Sequence, residues 1–445
     1  RPVVPSLETL DTAAVARALS QLAEREDDLV DAFFERREEV ELPAEGEAPG
    51  FRVRREEGLA VRLVRGDRSW LSVRDSLAPE AFAEALRQVA RVLPAAPYPE
   101  PSLDTLPWPE PPPAEELAEV PLAVSRAIRA RHVAFPVRLT VRRHRREVQV
   151  VGPRVVPGPE VETFYSVTAE LAWGSWGALV PSFDNGPEAA AEAVAEALVE
   201  RFRCRNAASP EGRAEAVVVL APEAAAVLLH EAVAHALEAD TLALSSRPEA
   251  AVGVTLGPPE LSILDDPGTA PEPVRRRSDD EGVAVTRRWL VRNGVVEQPL
   301  ADALWARASE VLLPGAGRRA SRHDPPGPRS THLELVPGEA ADDDLRADAD
   351  GGFLVSQVAR GSLDPWTGRF VLEVPCGRRL RRGVPADPVG PFRLVGTAAG
   401  LTSRVAAVGR EARFGGAGWC AKGGRKLPVW ATAPSLRLDG VEVAP

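Results

Sequence analysis

Residues 228–240 read LLHEAVAHALEAD, and within them His230, Glu231 and His235 spell HExxxH. The apolar run Ala216–Leu220 just before this stretch reads as a strand, and Pro222 is placed to open the helix that carries the motif. The chain holds six histidines in 445 residues, so the chance expectation for the pattern is on the order of 0.01. The common zinc-peptidase spacing of four puts both imidazoles on one helix face, with the glutamate beside them to deprotonate a water on the metal. Here the spacing is five. An ideal α-helix would turn the second imidazole roughly 140° beyond a full turn from the first. A local i→i+5 widening returns both to one face, and such π-bulges recur at functional sites. The sequence therefore predicts a distorted helix over residues 230–235. The bland alternative is a pair of polar residues satisfied on a half-buried helix. A glutamate between them, in an Ala- and Leu-rich helix where charge is costly, favours a site.

Two histidines are too few for a catalytic zinc, which takes three protein ligands and leaves a fourth position for water. Cys420 lies in RFGGAGWCAKGGRKLPV, where glycines let the backbone approach closely and Lys422 would favour a thiolate. Glu238, one turn after His235, competes as third ligand or stands behind a histidine and orients it. A mixed imidazole and thiolate set favours zinc, one Zn2+ per chain, over magnesium or calcium.

Outward from the motif, the chain divides into four stretches. Residues 1–93 combine an opening amphipathic helix, three short strands and a closing helix, an N-terminal α/β unit. Residues 94–113 are crowded with proline and read as a semi-rigid connector. A second α/β unit spans 114–205, with a strong helix over 187–203, and a polar stretch at 206–215 marks the main boundary. Residues 206–445 are mostly short strands and turns (DDPG, RNG, LPGAG, DPWTG) after the motif helix, so the fold class is α+β with a β-rich C-terminal domain. No internal repeat at a fixed period is readable.

Composition excludes several classes. At 445 residues, 44% hydrophobic and 27% charged, the chain has material for a real core and is neither a small disulfide scaffold nor disordered. Its 54 basic and 65 acidic residues give a net charge of -11, the wrong sign for gripping phosphate backbones. The basic run Arg142, Arg143, Arg145 and Arg146 around His144 reads as a solvated strand edge. Lys422 and Lys426 are the only lysines, and Met is absent, biases of genomic composition. Three cysteines fit a reducing compartment, so Cys204 and Cys376 read as structural thiols. No membrane-spanning run or signal pattern is present, which makes the cytoplasm the expected location.

HEAVAHALEAD followed far downstream by a Gly-rich segment with one Cys resembles the TldD/PmbA family, also called modulators of DNA gyrase. DDPGT at 265–269, DDEGV at 279–283, RNGVV at 292–296, PRSTHLELVPG at 328–338, GRFVLEV at 368–374 and GWCAKGGRKLPV at 418–429 look like family segments in family order. The strand pattern near 51–74 followed by SLAPEAFAEALR is similar to the family's N-terminal region. The resemblance implies a metallopeptidase with an N-terminal α/β portion and a β-rich zinc-holding domain. It implies His230, His235 and Cys420 as ligands and Glu231 as catalytic base. It also implies a dimer, either of identical chains or with a related subunit lacking HExxxH. The family often has Gly where this chain has Ala234, Ala236, Ala239 and Ala421, and an apolar residue where it has Ser330; these departures bear on substrate choice.

The expected activity is hydrolysis of unfolded or extended peptides by a metal-bound water, with Glu231 passing the proton to the leaving amine. Such a peptide would add as a strand along an open sheet edge. Arg329–Leu335 is the candidate edge, with Arg329, Thr331 and His332 as substrate contacts. His323 reads as a surface histidine in a proline-rich loop and His332 as a strand histidine; the alternative is that either stabilises an oxyanion or contacts substrate. Asp279, Asp280 and Glu281 cap a turn or face solvent, or else line the cleft. The competing reading is a non-catalytic scaffold subunit. Direct binding of nucleic acid is not expected from so acidic a chain.

Overall fold

The computed structural model describes residues 7–42, 50–93, 115–153, 155–183, 186–244, 251–308, 312 and 314–445. The proline-rich connector lies outside the described residues. Two αβββα units make the first half. The first is α1 (Thr12–Ser20), β1 (Leu29–Leu42), β2 (Arg52–Arg65), β3 (Arg68–Arg74) and α2 (Pro79–Ala90). The second is α3 (Glu115–Ala130), β4 (Arg138–Val151), β5 (Glu160–Leu171), β6 (Gly174–Val180) and α4 (Pro187–Cys204). Helix periodicity explains the layering: Val15 and Leu19 of α1 close with Phe82, Leu86 and Val89 of α2 over β1 and β2. Leu117, Val120 and Val124 of α3 and Val194 and Leu198 of α4 do the same for the second unit.

The strands form one antiparallel sheet in the order β3-β2-β1-β4-β5-β6. The units meet across β1 and β4, where Arg36, Arg37 and Glu38 oppose Glu147, Arg146 and Arg145. The tripeptide RRE thus pairs with its own copy, about a local two-fold axis at Arg37 and Arg146. Corresponding elements begin at a near-constant offset: Arg52 and Glu160 for β2 and β5, Pro79 and Pro187 for α2 and α4. A repeat hidden at the level of sequence periodicity is therefore present in the fold.

The arginine run of β4 corrects the expected solvated edge. β4 is interior, paired with β1 and β5, and Arg143 and Arg146 are buried. Arg146 donates to Glu35 at 2.9 Å and to Asp280 at 3.2 Å, and Arg62 joins Asp31 to Glu281 at 2.7 Å each, through Nε and Nη2. Buried charge of this kind persists when it is paired and hydrogen-bonded. Asp279, Asp280 and Glu281 likewise face this junction between the halves and not solvent. Asp279 does cap its turn, accepting the Glu281 and Val283 N–H groups at 2.9 Å.

The second half begins with β7 (Ala214–Leu220) and α5 (Pro222–Leu228). Short strands follow: β8 (Ile263–Asp265), β9 (Arg288–Arg292), β10 (Val295–Val296), β11 (Gly317–Arg318), β12 (Gly327–Pro328), β13 (His332–Leu335), β14 (Phe353–Val355) and β15 (Arg360–Leu363). The last are β16 (Arg369–Val374), β17 (Gly377–Arg381), β18 (Val384–Val389), β19 (Phe392–Thr397), β20 (Val405–Val408), β21 (Arg413–Lys422), β22 (Arg425–Ala433) and β23 (Leu436–Ala444). One sheet runs β10-β9-β8-β13-β22-β21; the other runs β15-β16-β19-β23-β7-β14-β17-β18, with β20 also on β23. The helix that starts at α5 is buried between them. Ala224, Ala225, Leu228 and Leu229 share one core with Ile263, Leu333 and Val429 of the first sheet and Phe370, Leu372 and Leu438 of the second. Its many alanines let two sheets close on a single helix.

The strand expected to be an open edge is interior. β13 pairs antiparallel with β8 and parallel with β22, so both of its flanks are used. β15 ends the larger sheet, with β16 as its one partner among the described residues. No helix among the described residues is long and apolar enough to cross a membrane.

Candidate metal centre

β7 delivers the chain into α5, whose regular turns give way at Leu229–Ala234 to a π-helix and at His235–Leu237 to a 3-10 turn. The His235 N–H donates to the His230 carbonyl, the i→i+5 bond that a five-residue spacing demands. The two imidazoles consequently stand on the same face, with ring centroids 4.4 Å apart. Cys420 reaches them from β21, and its Sγ lies 3.5 Å from His235 Nε2. One donor atom from each of His230, His235 and Cys420 falls within 4.8 Å of the other two, and all three residues are buried or nearly so.

The helix ends at Glu238, whose backbone turns extended (φ -78°, ψ 132°) and whose carboxylate folds back to 3.0 Å from His235 Nδ1. This contact assigns Glu238 the place behind a histidine and leaves Nε2 of His235 aimed at Cys420. Burial opposes charge on Glu238, but His235, Lys422 and Arg329 outweigh it and bring its carboxyl down to about 2. Lys422 Nζ sits 2.5 Å from Glu238 and 2.6 Å from Asp240. Lys422 therefore serves the carboxylate and not the thiol. Burial also opposes charge on His235, which the Glu238 carboxylate and Cys420 overcome, raising its basicity. For Cys420, burial works against a thiolate, yet the adjacent His230 and His235 outweigh it and set the thiol at about 5. A thiolate beside two imidazoles is a donor set that a borderline-soft cation selects.

His230 supplies the test of fit. Its Nδ1 lies 3.4 Å from Ser330 Oγ, while its buried Nε2 has no hydrogen-bond partner among the described residues. A buried ring nitrogen left unsatisfied carries a cost that a bound metal ion removes. Two nitrogens and a sulfur fit zinc.

Glu231 follows His230 directly, and its side chain lies on Gly361 of β15. A Cβ at Gly361 would overlap the Glu231 Cγ and Cδ, so the glycine makes the seat of this carboxylate. Nothing in the sequence near Gly361 signals that contact. Ser330 and Lys422 are site residues for which the sequence suggests other roles, substrate choice and support of the thiolate, and Lys422 stands out as one of two lysines in an arginine-rich chain.

The remaining sequence candidates separate. Arg329 is close to the centre, but it is buried, donating to the Pro328 carbonyl at 2.7 Å and facing Glu238 at 3.9 Å. Thr331 accepts from Arg318 at 2.7 Å, and His332 is held by Thr432 at 2.9 Å and the Asp266 carbonyl at 3.0 Å; both are buried in the sheet. His323 is on the surface beside Asp75, at 2.8 Å. Ser330, not His332, is the residue of this segment that touches the histidine pair.

A family model described as PmbA/TldA metallopeptidase C-terminal domain matches residues 213–445. The Haemophilus influenzae protein named metalloprotease TldD homolog is 32% identical over 259 residues, 57% of this chain and 52% of its own length. The chain spans about half the length of the curated relatives it matches. The structure of TldE from Thermococcus kodakarensis matches with a TM-score of 0.72 at 19% identity, covering 97% of this chain and 100% of that one. A Thermotoga maritima protein described as a modulator of a DNA gyrase gives 0.70 at 20%, covering 96% and 98%. At such identities the two structures speak to the fold, and they share it across both halves. Through the model match over its second half and this common fold, the chain belongs to the PmbA/TldD metallopeptidase family.

Proposed function

We propose that the chain is a zinc-dependent peptidase acting on extended, unfolded peptides. The observation that carries this reading is the convergence of His230, His235 and Cys420 around the unpartnered His230 Nε2, with Glu231 next in the chain. The name metalloprotease borne by relatives supports it. His230, His235 and Cys420 would hold the zinc, which when bound would supply a Lewis acid for the scissile carbonyl and the attacking water. Glu231, on its seat at Gly361, accepts the proton of the attacking water on a carboxylate oxygen and returns it to the leaving amine. Glu238 holds His235 Nδ1–H and with it the ring's orientation. The outer side of β15, next to Glu231, offers main-chain donors and acceptors to a peptide lying as an added strand, a mode indifferent to sequence that excludes folded chains. We infer a dimer as the working form, of two copies or with a TldE-like chain, in a reducing compartment such as the cytoplasm.

The test is Glu231→Gln. Zinc content by elemental mass spectrometry should match the wild type, while cleavage of an unstructured reporter peptide falls by about 10²–10⁴-fold. A variant that cleaves as fast as the wild type, or a zinc-supplemented wild type that holds no metal, would leave the scaffold reading in its place.

A further inference from the structure

Cys204 and Cys376 take no part in the chemistry above. Cys204 is the last residue of α4, in the first half, and Cys376 lies between β16 and β17 in the second. Both are buried and free, and their sulfurs and a Glu200 carboxylate oxygen fall within 4.8 Å of one another. Cys204 Sγ is 3.8 Å from Glu200 Oε1 and 3.8 Å from the Gly377 carbonyl. Glu200 is already engaged: Arg378 forks it through Nε and Nη2, the latter at 2.7 Å. Arg201, bonded to Gln357 at 2.9 Å, adds a second guanidinium on the Cys376 side.

Two uses of such a cluster can be weighed. A divalent cation would have to enter beside two guanidinium groups and break the Arg378–Glu200 fork to gain its carboxylate. A disulfide is uncharged and leaves that fork intact. We propose that Cys204 and Cys376 form a redox-active dithiol that closes to a disulfide under a small hydroperoxide, stapling α4 of the first half to the β16–β17 connection of the second. Cys204 is assigned the first attack, an order that the two single variants test. The hydrogen bond from Cys376 holds it below the ordinary thiol value, against burial and the Glu200 charge, while the same bond, with burial, pushes Cys376 up.

In the first step the Cys204 thiolate attacks a peroxide oxygen; an S–O bond forms, the O–O bond breaks, and one water or alcohol leaves. Cys376 then gives up its proton and attacks the Cys204 sulfur; the S–S bond forms, the S–O bond breaks, and water leaves. The two thiols lose two electrons and two protons, and the peroxide takes them up. Burial of both sulfurs selects a small oxidant. Closing so long a loop restricts the unfolded chain strongly, so oxidation should raise thermal stability.

The zinc-loaded full chain is treated with hydrogen peroxide and mapped by mass spectrometry without reduction. A peptide linking residues 204 and 376, a melting temperature raised by a few degrees, and reversal by dithiothreitol are expected. Cys376→Ser should trap Cys204 as a sulfenic acid captured by dimedone, and Cys204→Ser should give no such adduct at residue 376. Both thiols remaining separately alkylatable, or a second zinc per chain that vanishes in Cys204→Ser, would overturn the proposal. The wild-type map decides by itself if either variant fails to fold.

Discussion

Gly361 holds the seat of Glu231, and its contribution is entirely steric. Gly361→Ala should retain zinc at the wild-type level while peptide cleavage falls toward that of Glu231→Gln, because the carboxylate is displaced and the three donors are untouched. Elemental analysis beside a peptide assay separates the two effects. Glu238 acts from the other side of the centre. Glu238→Gln leaves Lys422 with its Asp240 contact but weakens the hold on His235 Nδ1, so zinc affinity should fall by about 10–100-fold, read by competition with a chromophoric chelator. The juxtaposition of His230, His235 and Cys420 was legible because their chemistry is rare in the sequence. Gly361 was not, because a close approach between a helix and a remote strand leaves no local mark.

At the level of elements, the motif helix shows what a spacing can and cannot tell. A spacing of five from one histidine to the next demands either splayed rings or a π-turn, and the π-turn at Leu229–Ala234 is what the chain forms. The helix's surroundings follow from its alanines, which suit a position between two sheets. Ala225→Leu should therefore cost about 1–3 kcal/mol, since neither sheet has room to retreat, and urea unfolding would register it. Pairing order escaped the sequence. β13 alternates no differently from an edge strand, and its neighbours β8 and β22 come from far along the chain. The arginines of β4 misled for a related reason: their carboxylate partners Glu35 and Asp280 belong to other segments, so the run looked solvated.

On the scale of the whole molecule, the two halves meet across buried charge as well as apolar contact, and this joint is sensitive to proton concentration. Asp302 is buried next to Glu281 and caps a short helix by accepting the Trp305 N–H at 2.8 Å. Burial first, then the Glu281 charge, raise its carboxyl to about 7. The native state thus keeps a proton that the unfolded chain releases near pH 4, and this contribution to stability declines as pH rises from about 4 to about 7. Asn keeps the cap and holds no such proton. The melting temperature of Asp302→Asn relative to wild type should therefore climb across that window and level off above it, as a pH series of thermal melts would record. Asp280 has the opposite sense: burial opposes its ionisation, but Arg146, Arg276 and Arg318 overcome it and hold the carboxyl far below its usual value.

The RRE tripeptide of β1, set against its own copy in β4, is self-complementary. Each arginine meets either a glutamate or the axis, so the pattern reads the same from both strands and does not distinguish a partner in the same chain from one in another. A fragment ending at residue 93 would carry one such strand with its β4-facing edge uncovered, and would dimerise through it.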